Sequence, residues 1–218
     1  MMKQALALAL AGMCATSSMA AVTIQTVAFG IVPPAGSTVI DFNSASNVNN
    51  VALPTGFTAA ATGFTNVYTG SHPGTAAAPM NDATKYLAVS MGTYTLKSSV
   101  GFSNLSFYWG SIDAGNTLQL LDVYGNVFYT LTGSNALMSS DASGNWFSGA
   151  DNRTVLINSD QRIFGTRFVN SGVAFELDNL AFGGVPEPAT WAMMVAGFGL
   201  IGFATRLSRK QNRSTLFA

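Results

Sequence analysis

The stretch Val185 to Lys210, VPEPATWAMMVAGFGLIGFATRLSRK, constrains this chain more than any other. It opens on Pro186-Glu187-Pro188, a rigid, extended tripeptide. The prolines fix φ and bias the residues before them away from helix. Ala189 to Thr205 follows, seventeen residues without a charge. As a helix this run spans roughly 26 Å, at the short end of what crosses a bilayer core. Its apolar residues go all round the wheel, unlike the single stripe of a surface helix. Gly197, Gly199 and Gly202 would each cost roughly 1 kcal/mol in a soluble helix interior and are better tolerated in membrane spans. Arg206, Arg209, Lys210 and Arg213 come last. Basic residues just past an apolar span hold that end on the cytoplasmic side. The pattern predicts one C-terminal transmembrane helix, with 211–218 as a short cytoplasmic end. The plainer reading, a C-terminal core or amphipathic helix, fits it less well.

The order of parts is also that of a known signal. Pro-Glu-Pro, then Ala189-Thr190-Trp191-Ala192-Met193-Met194, Gly197-Phe198-Gly199-Leu200 and an Arg-rich end resembles the PEP-CTERM sorting signal of proteobacteria. The resemblance implies an exosortase partner, a membrane sorting enzyme of the thiol-protease kind found in bacteria that make exopolysaccharide. Pro186, Glu187, Pro188 and Trp191 would form the sorting motif. The tail would be cut near the tripeptide and the passenger released or attached outside the cell. The chain would thus be anchored transiently in the inner membrane, then reach the outer surface or the medium. The role expected on this reading is structural or adhesive in the exopolysaccharide or biofilm layer, and not enzymatic.

Met1 to Ala20 has the form of an export leader. Lys3 is a minimal positive region, Ala5 to Met13 is apolar, and Ser18-Met19-Ala20 offers small residues for cleavage. It implies an export translocon and signal peptidase as further partners; the plain alternative is a buried N-terminal helix. The only cysteine, Cys14, lies in that leader, so the mature chain would have no disulfide, thiolate metal site or cysteine nucleophile. Removing both ends leaves about 165 residues (21–184), enough for one domain with a real core. All ten acids lie between Asp41 and Glu187, whereas half of the ten basic residues sit in the two end segments. The passenger is therefore acidic and lacks a nucleic-acid footprint.

Strand signals dominate the passenger. Val22 to Phe29 alternates apolar and polar residues, as a half-buried strand does, and Thr38 to Phe42 is a second candidate. Asn43 to Pro79, punctuated by Gly and Pro, reads mostly as loop, with one strand around Phe64 to Tyr68. Further strands are predicted over Tyr86–Ser90, Thr93–Lys97, Asn104–Trp109, Arg153–Asn158, Arg162–Asn170 and Ala174–Phe182. Thr117–Val123 and Val127–Leu131 flank a Tyr124-Gly125-Asn126 turn, as in a hairpin. No window has convincing helical periodicity. The expectation is all-β, an antiparallel β-sandwich or jelly roll over 21–184. Phe107 to Asp113 and Phe175 to Leu180 also look like segments of exosortase-dependent surface proteins whose β-sandwich precedes the Pro-Glu-Pro signal.

Tyr108, Trp109 and Trp146, with Phe147 beside the last, suggest a sugar-stacking platform, since an aromatic face gives a pyranose ring an apolar partner. Such a chain would be a carbohydrate-binding module with exopolysaccharide as ligand. Core packing is the plainer role, because Trp109 shares its strand face with Leu105 and Phe107. Asp41, Asp178 and Asn179 resemble the positions at which jelly-roll carbohydrate modules hold a structural calcium. Carboxylates, Asn and main-chain carbonyls could supply the oxygens it needs; otherwise these acids are solvated or ion-paired. No other cofactor is implied. A polysaccharide hydrolase is the third class. His72 is the sole histidine, no Gly-x-Ser-x-Gly elbow occurs, and the carboxylate pair of a glycosidase has no sequence signature.

Overall fold

The structure, a computed structural model, describes residues 21–184 except 29–32, 34–35, 138–141 and 173. The expected leader lies outside the described residues. So do the sorting motif Pro186, Glu187, Pro188 and Trp191, the apolar run 189–205, and the basic set Arg206, Arg209, Lys210 and Arg213. Among the described residues no helix is long and apolar enough to cross a membrane.

Two long strands carry the architecture: β6 (Gly92–Gly110) and β9 (Arg153–Asn170). They run antiparallel, with Gly92–Lys97 against Gly165–Asn170 and Asn104–Trp109 against Arg153–Asn158. The register slips between Lys97 and Asn104, and such a slip bends a strand and raises its twist. The two ends of each long strand therefore take different partners. At one end, β3 (Phe57–Ala61) pairs with β6, and β7 (Thr117–Leu121) pairs with β9 and with β8 (Val127–Thr132). At the other end, β10 (Phe175–Gly183) pairs with β6, and β1 (Val22–Val27) pairs with β9. On its far side β10 takes β2 (Thr38–Ile40) and β5 (Lys85–Val89), and β5 takes β4 (Asn66–Thr69).

The antiparallel, all-β class expected from the sequence is observed. Among the described residues ten strands form one continuous hydrogen-bonded sheet, so pairing alone does not divide it into the two sheets of a sandwich. Helix among the described residues is limited to α1 (Gly133–Leu137) and a single turn, Val48–Asn50. Asn47 caps that turn by accepting from the Asn49 N–H.

Several local expectations change. The strands predicted over 93–97 and 104–109 are parts of β6, and those over 153–158 and 162–170 are parts of β9. Period-2 patterning reports each straight half and is silent about a bend. The stretch 43–79 contains β3, where a loop was expected. Only Phe57 of its five residues is even partly buried, so FTAAA shows no alternation and the ladder with β6 holds it. Turn and strand approach closely there. A Cβ on Gly92 would lie 2.2 Å from the Thr62 carbonyl oxygen, and one on Gly63 would lie 2.2 Å from that of Met91.

The core is aromatic. Phe168 meets Phe107 and Phe175 edge-on, at centroid distances of 5.4 and 5.3 Å. Phe57, Phe102 and Phe182 form a second group near the bend. Residues 105–110 of β6 are buried on both faces. Leu105, Phe107 and Trp109 point to the core, and the Pro79–Met80 segment crosses the opposite face. A Cβ on Gly110 would touch Pro79 at 2.8 Å, and the Tyr108 hydroxyl donates to the Met80 carbonyl at 2.5 Å.

Candidate functional site

β6 ends at Gly110 opposite Glu176, near the start of β10. The loops 71–77, 111–116 and 142–152 gather at this end of the sheet. Together they enclose a cleft of about 300 Å³ whose lining includes His72, Ser111, Asp113, Trp146 and Glu176. Asn152, 2% exposed, ties the aromatic loop down. Its Nδ2 donates to the carbonyls of Asn145, Trp146 and Ser148, and its Oδ1 accepts from the N–H groups of Met80 and Ser111. Asp151 Oδ2 adds bonds from Ser143 Oγ and Asn145 N. Trp146 is 41% exposed and Phe147 72%, with ring centroids 3.9 Å apart. The loop thus holds a pair of large aromatics at the surface on a fixed polar base.

Glu176 lies at the cleft floor and is 2% exposed. Its Oε2 accepts from Ser111 Oγ at 2.5 Å and its Oε1 from Ala77 N at 2.9 Å. Burial pushes its carboxyl up to about 7, against the pull of these bonds, and the Asp113 charge adds to the rise. Burial also raises Asp113, although its Oδ1 accepts from the N–H groups of Gly115 and Asn116. Ser111 takes φ 37°, a left-handed conformation rare outside glycine. Strain of this kind persists where surrounding bonds over-determine it. His72 packs against Tyr68 at 4.6 Å, and its Nε2 lies 3.3 Å from the Thr69 carbonyl oxygen.

A second locus lies further along β10. Asp178 is fully buried, and its Oδ2 accepts from Asn179 Nδ2 at 2.8 Å and Thr84 Oγ1 at 3.2 Å. Asp82 Oδ1 accepts from Thr84 N at 2.8 Å and from Thr84 Oγ1 at 2.5 Å. The two remaining oxygens, Asp178 Oδ1 and Asp82 Oδ2, are buried without a hydrogen-bond donor. Burial first, and the Asp82 charge second, push the Asp178 carboxyl up to about 8.

The residues named from sequence are placed unevenly. Trp109 is fully buried, and its Nε1 donates to Asn116 Oδ1 at 3.0 Å. Tyr108 is 3% exposed beneath the 79–80 segment. Neither ring is open to a ligand, and of the three residues expected to form a platform only Trp146 is exposed, with Phe147 beside it. Asp178 and Asn179 are brought together, but Asp41 is exposed at the end of β2 and accepts from Asn43 N at 3.1 Å. The carboxyl beside Asp178 is that of Asp82. Nothing in the sequence linked residues 82 and 178, which meet only through the course of the 79–84 turn.

β10 ends at Gly183. The Gly184 carbonyl then accepts from Arg162 Nη1 at 2.7 Å and Ser103 Oγ at 3.0 Å. The family model described as the PEP-CTERM protein-sorting motif matches residues 184–210. The chain carries a PEP-CTERM sorting signal. That motif marks a protein exported to the cell surface through exosortase processing. It begins where the described sheet stops, so the last strand runs directly into the PEP-CTERM segment. No curated protein matches the chain.

Proposed function

We propose that this chain is a structural or adhesive protein of the exopolysaccharide or biofilm layer, without enzymatic activity. It enters the export translocon by a leader at 1–20, which signal peptidase removes. A transmembrane anchor at 189–205 then holds it in the inner membrane until exosortase acts. The observation that carries this is the PEP-CTERM match at 184–210, directly after β10. The passenger is read as a β-sandwich, because Phe168 on one half of the bent sheet packs on Phe107 and Phe175 of the other. Intact-mass analysis of protein recovered outside the cell tests the route: both ends should be missing. Recovery of the full chain, or unchanged surface display after deletion of 185–218, overturns it.

A second reading, a glycan-binding passenger with the same route, is favoured by the cleft. Trp146 and Phe147 offer apolar rings, and the carboxyls of Asp113 and Glu176 with the Ser111 hydroxyl offer polar contacts, the mixture that sugar sites use. Retention on exopolysaccharide separates the readings.

A further inference from the structure

Asp82 and Asp178 stand within hydrogen-bonding reach of one another, yet each presents a buried oxygen that no donor satisfies. Two carboxyls so placed must share either a proton or a cation between them. Among the described residues no cationic side chain acts on Asp178. Lys85, next to Thr84 in sequence, turns its Nζ away to the Ala45 carbonyl at 2.6 Å.

The backbone around the pair is unusual in a way that carboxyl pairing does not need. Asn81 and Asn179, each adjoining one of the aspartates, have φ values of 61° and 55°. The register of β10 on β6 also slips between Asp178 and Ala181. A slip takes main-chain carbonyls out of the ladder, and left-handed non-glycine residues concentrate at binding sites. Side-chain oxygens from Asp82, Thr84 and Asp178 meet here, with neither histidine nor cysteine. Hard cations take oxygen donors of this kind. Among the described residues no group of three or more His, Cys, Asp or Glu could hold a metal. Any ion here would therefore need neutral oxygens besides the two carboxylates.

We propose that Asp82 and Asp178 hold a calcium ion between them, with Thr84 Oγ1 beside it and main-chain oxygens or water filling the other positions. Asp41 is not a ligand, since it is exposed and bonded to Asn43. The ion staples the 79–84 turn to the middle of β10. With only two carboxylates its affinity would resemble that of extracellular modules, for which Kd is about 10⁻⁴–10⁻³ M. It would then fill outside the cytoplasm, and the passenger would reach full stability only there. The site stands whether or not the tail is sorted.

The full-length chain, stripped with EDTA, is melted alone, with CaCl₂ and with MgCl₂ at matched ionic strength. Calcium should raise Tm by roughly 3–8 °C, and magnesium by less. Asp82→Asn is the informative variant, because its amide can donate to the unsatisfied Asp178 oxygen. Its metal-free Tm should hold or rise while the calcium shift disappears. On the wild-type chain, Tb³⁺ luminescence sensitised by tyrosine gives a second readout, since Tyr108 lies close enough to feel the Asp82 charge; calcium should quench it by displacement. No calcium shift in the wild type, an undiminished shift in Asp82→Asn, or a shift with magnesium alone overturns the proposal. In the first case a proton joins the two carboxyls, and stability falls with rising pH regardless of metal.

Discussion

Trp109 lies flat on Phe175, with ring centroids 4.3 Å apart and planes 8° from parallel. The contact joins β6 to β10 just inside the cleft, one strand position from Glu176. Trp109→Ala removes that face and leaves a void among Phe107, Phe168 and Phe175. Loss of a buried tryptophan side chain costs about 3–5 kcal/mol. Chemical denaturation should show that loss with an unchanged m-value. Trp109→Phe should cost less, retaining the stack and losing the bond to Asn116.

Tyr94 is the opposite case. It is 1% exposed, and its hydroxyl is buried without a hydrogen-bond partner. An unsatisfied buried polar group costs about 1–3 kcal/mol, and replacing it with an apolar isostere recovers part of that. Tyr94→Phe should leave the ring contact with Phe42, at 6.5 Å, in place. The expected result is a gain of about 1 kcal/mol in unfolding free energy, read as a higher denaturation midpoint at unchanged m-value. A lower midpoint would show that the hydroxyl is satisfied in solution.

These two residues mark what a sequence reveals of such a fold. Leu105, Phe107 and Trp109 alternate, so their strand and its core face are legible from pattern. That Tyr108, on the other face, is equally buried is not legible, because the cover comes from Pro79 and Met80, far away in the chain. The sorting tail was readable because its information is local and ordered: tripeptide, apolar run, basic end. The cleft and the aspartate pair are the reverse. Asp113 meets Glu176, and Asp82 meets Asp178, only after β10 has inserted between β5 and β6. No spacing rule reports an insertion of that kind. β3 was invisible for another reason: its side chains are mostly exposed alanines, and its stability comes from a ladder supplied by β6.

The cleft and the start of the PEP-CTERM segment lie at opposite ends of β10, which at about 3.3 Å per residue puts them roughly 25 Å apart. A ligand held at Trp146 is therefore far from Gly184, the last described residue. Trp146→Ala should leave the melting temperature within about 2 °C, since an exposed residue contributes little. If the passenger binds glycan, retention on exopolysaccharide should fall by about tenfold, as loss of about 1.4 kcal/mol implies. Trp109→Phe serves as the control, because that ring faces the core. Equal retention by wild type and Trp146→Ala removes the binding-module reading and leaves the structural one.

Glu176 should make the passenger less stable at neutral pH than in mild acid. Its folded pKa, about 7, lies above the ordinary value of 4.5. The folded chain therefore holds this proton more tightly than the unfolded chain. Below about pH 4.5 the group is protonated in both states and costs nothing. As pH rises toward 7 the unfolded carboxyl ionises freely while the buried one resists, so stability falls. Above pH 7 the loss is complete, at about 3 kcal/mol. Glu176→Gln should flatten this slope while keeping an acceptor for the Ala77 N–H and gaining a donor toward Ser111 Oγ. Denaturation between pH 4 and 8 in EDTA, comparing wild type with Glu176→Gln, isolates the effect from any bound cation. Identical slopes for the two chains would mean that the Glu176 carboxyl titrates normally, and that water reaches the cleft floor freely.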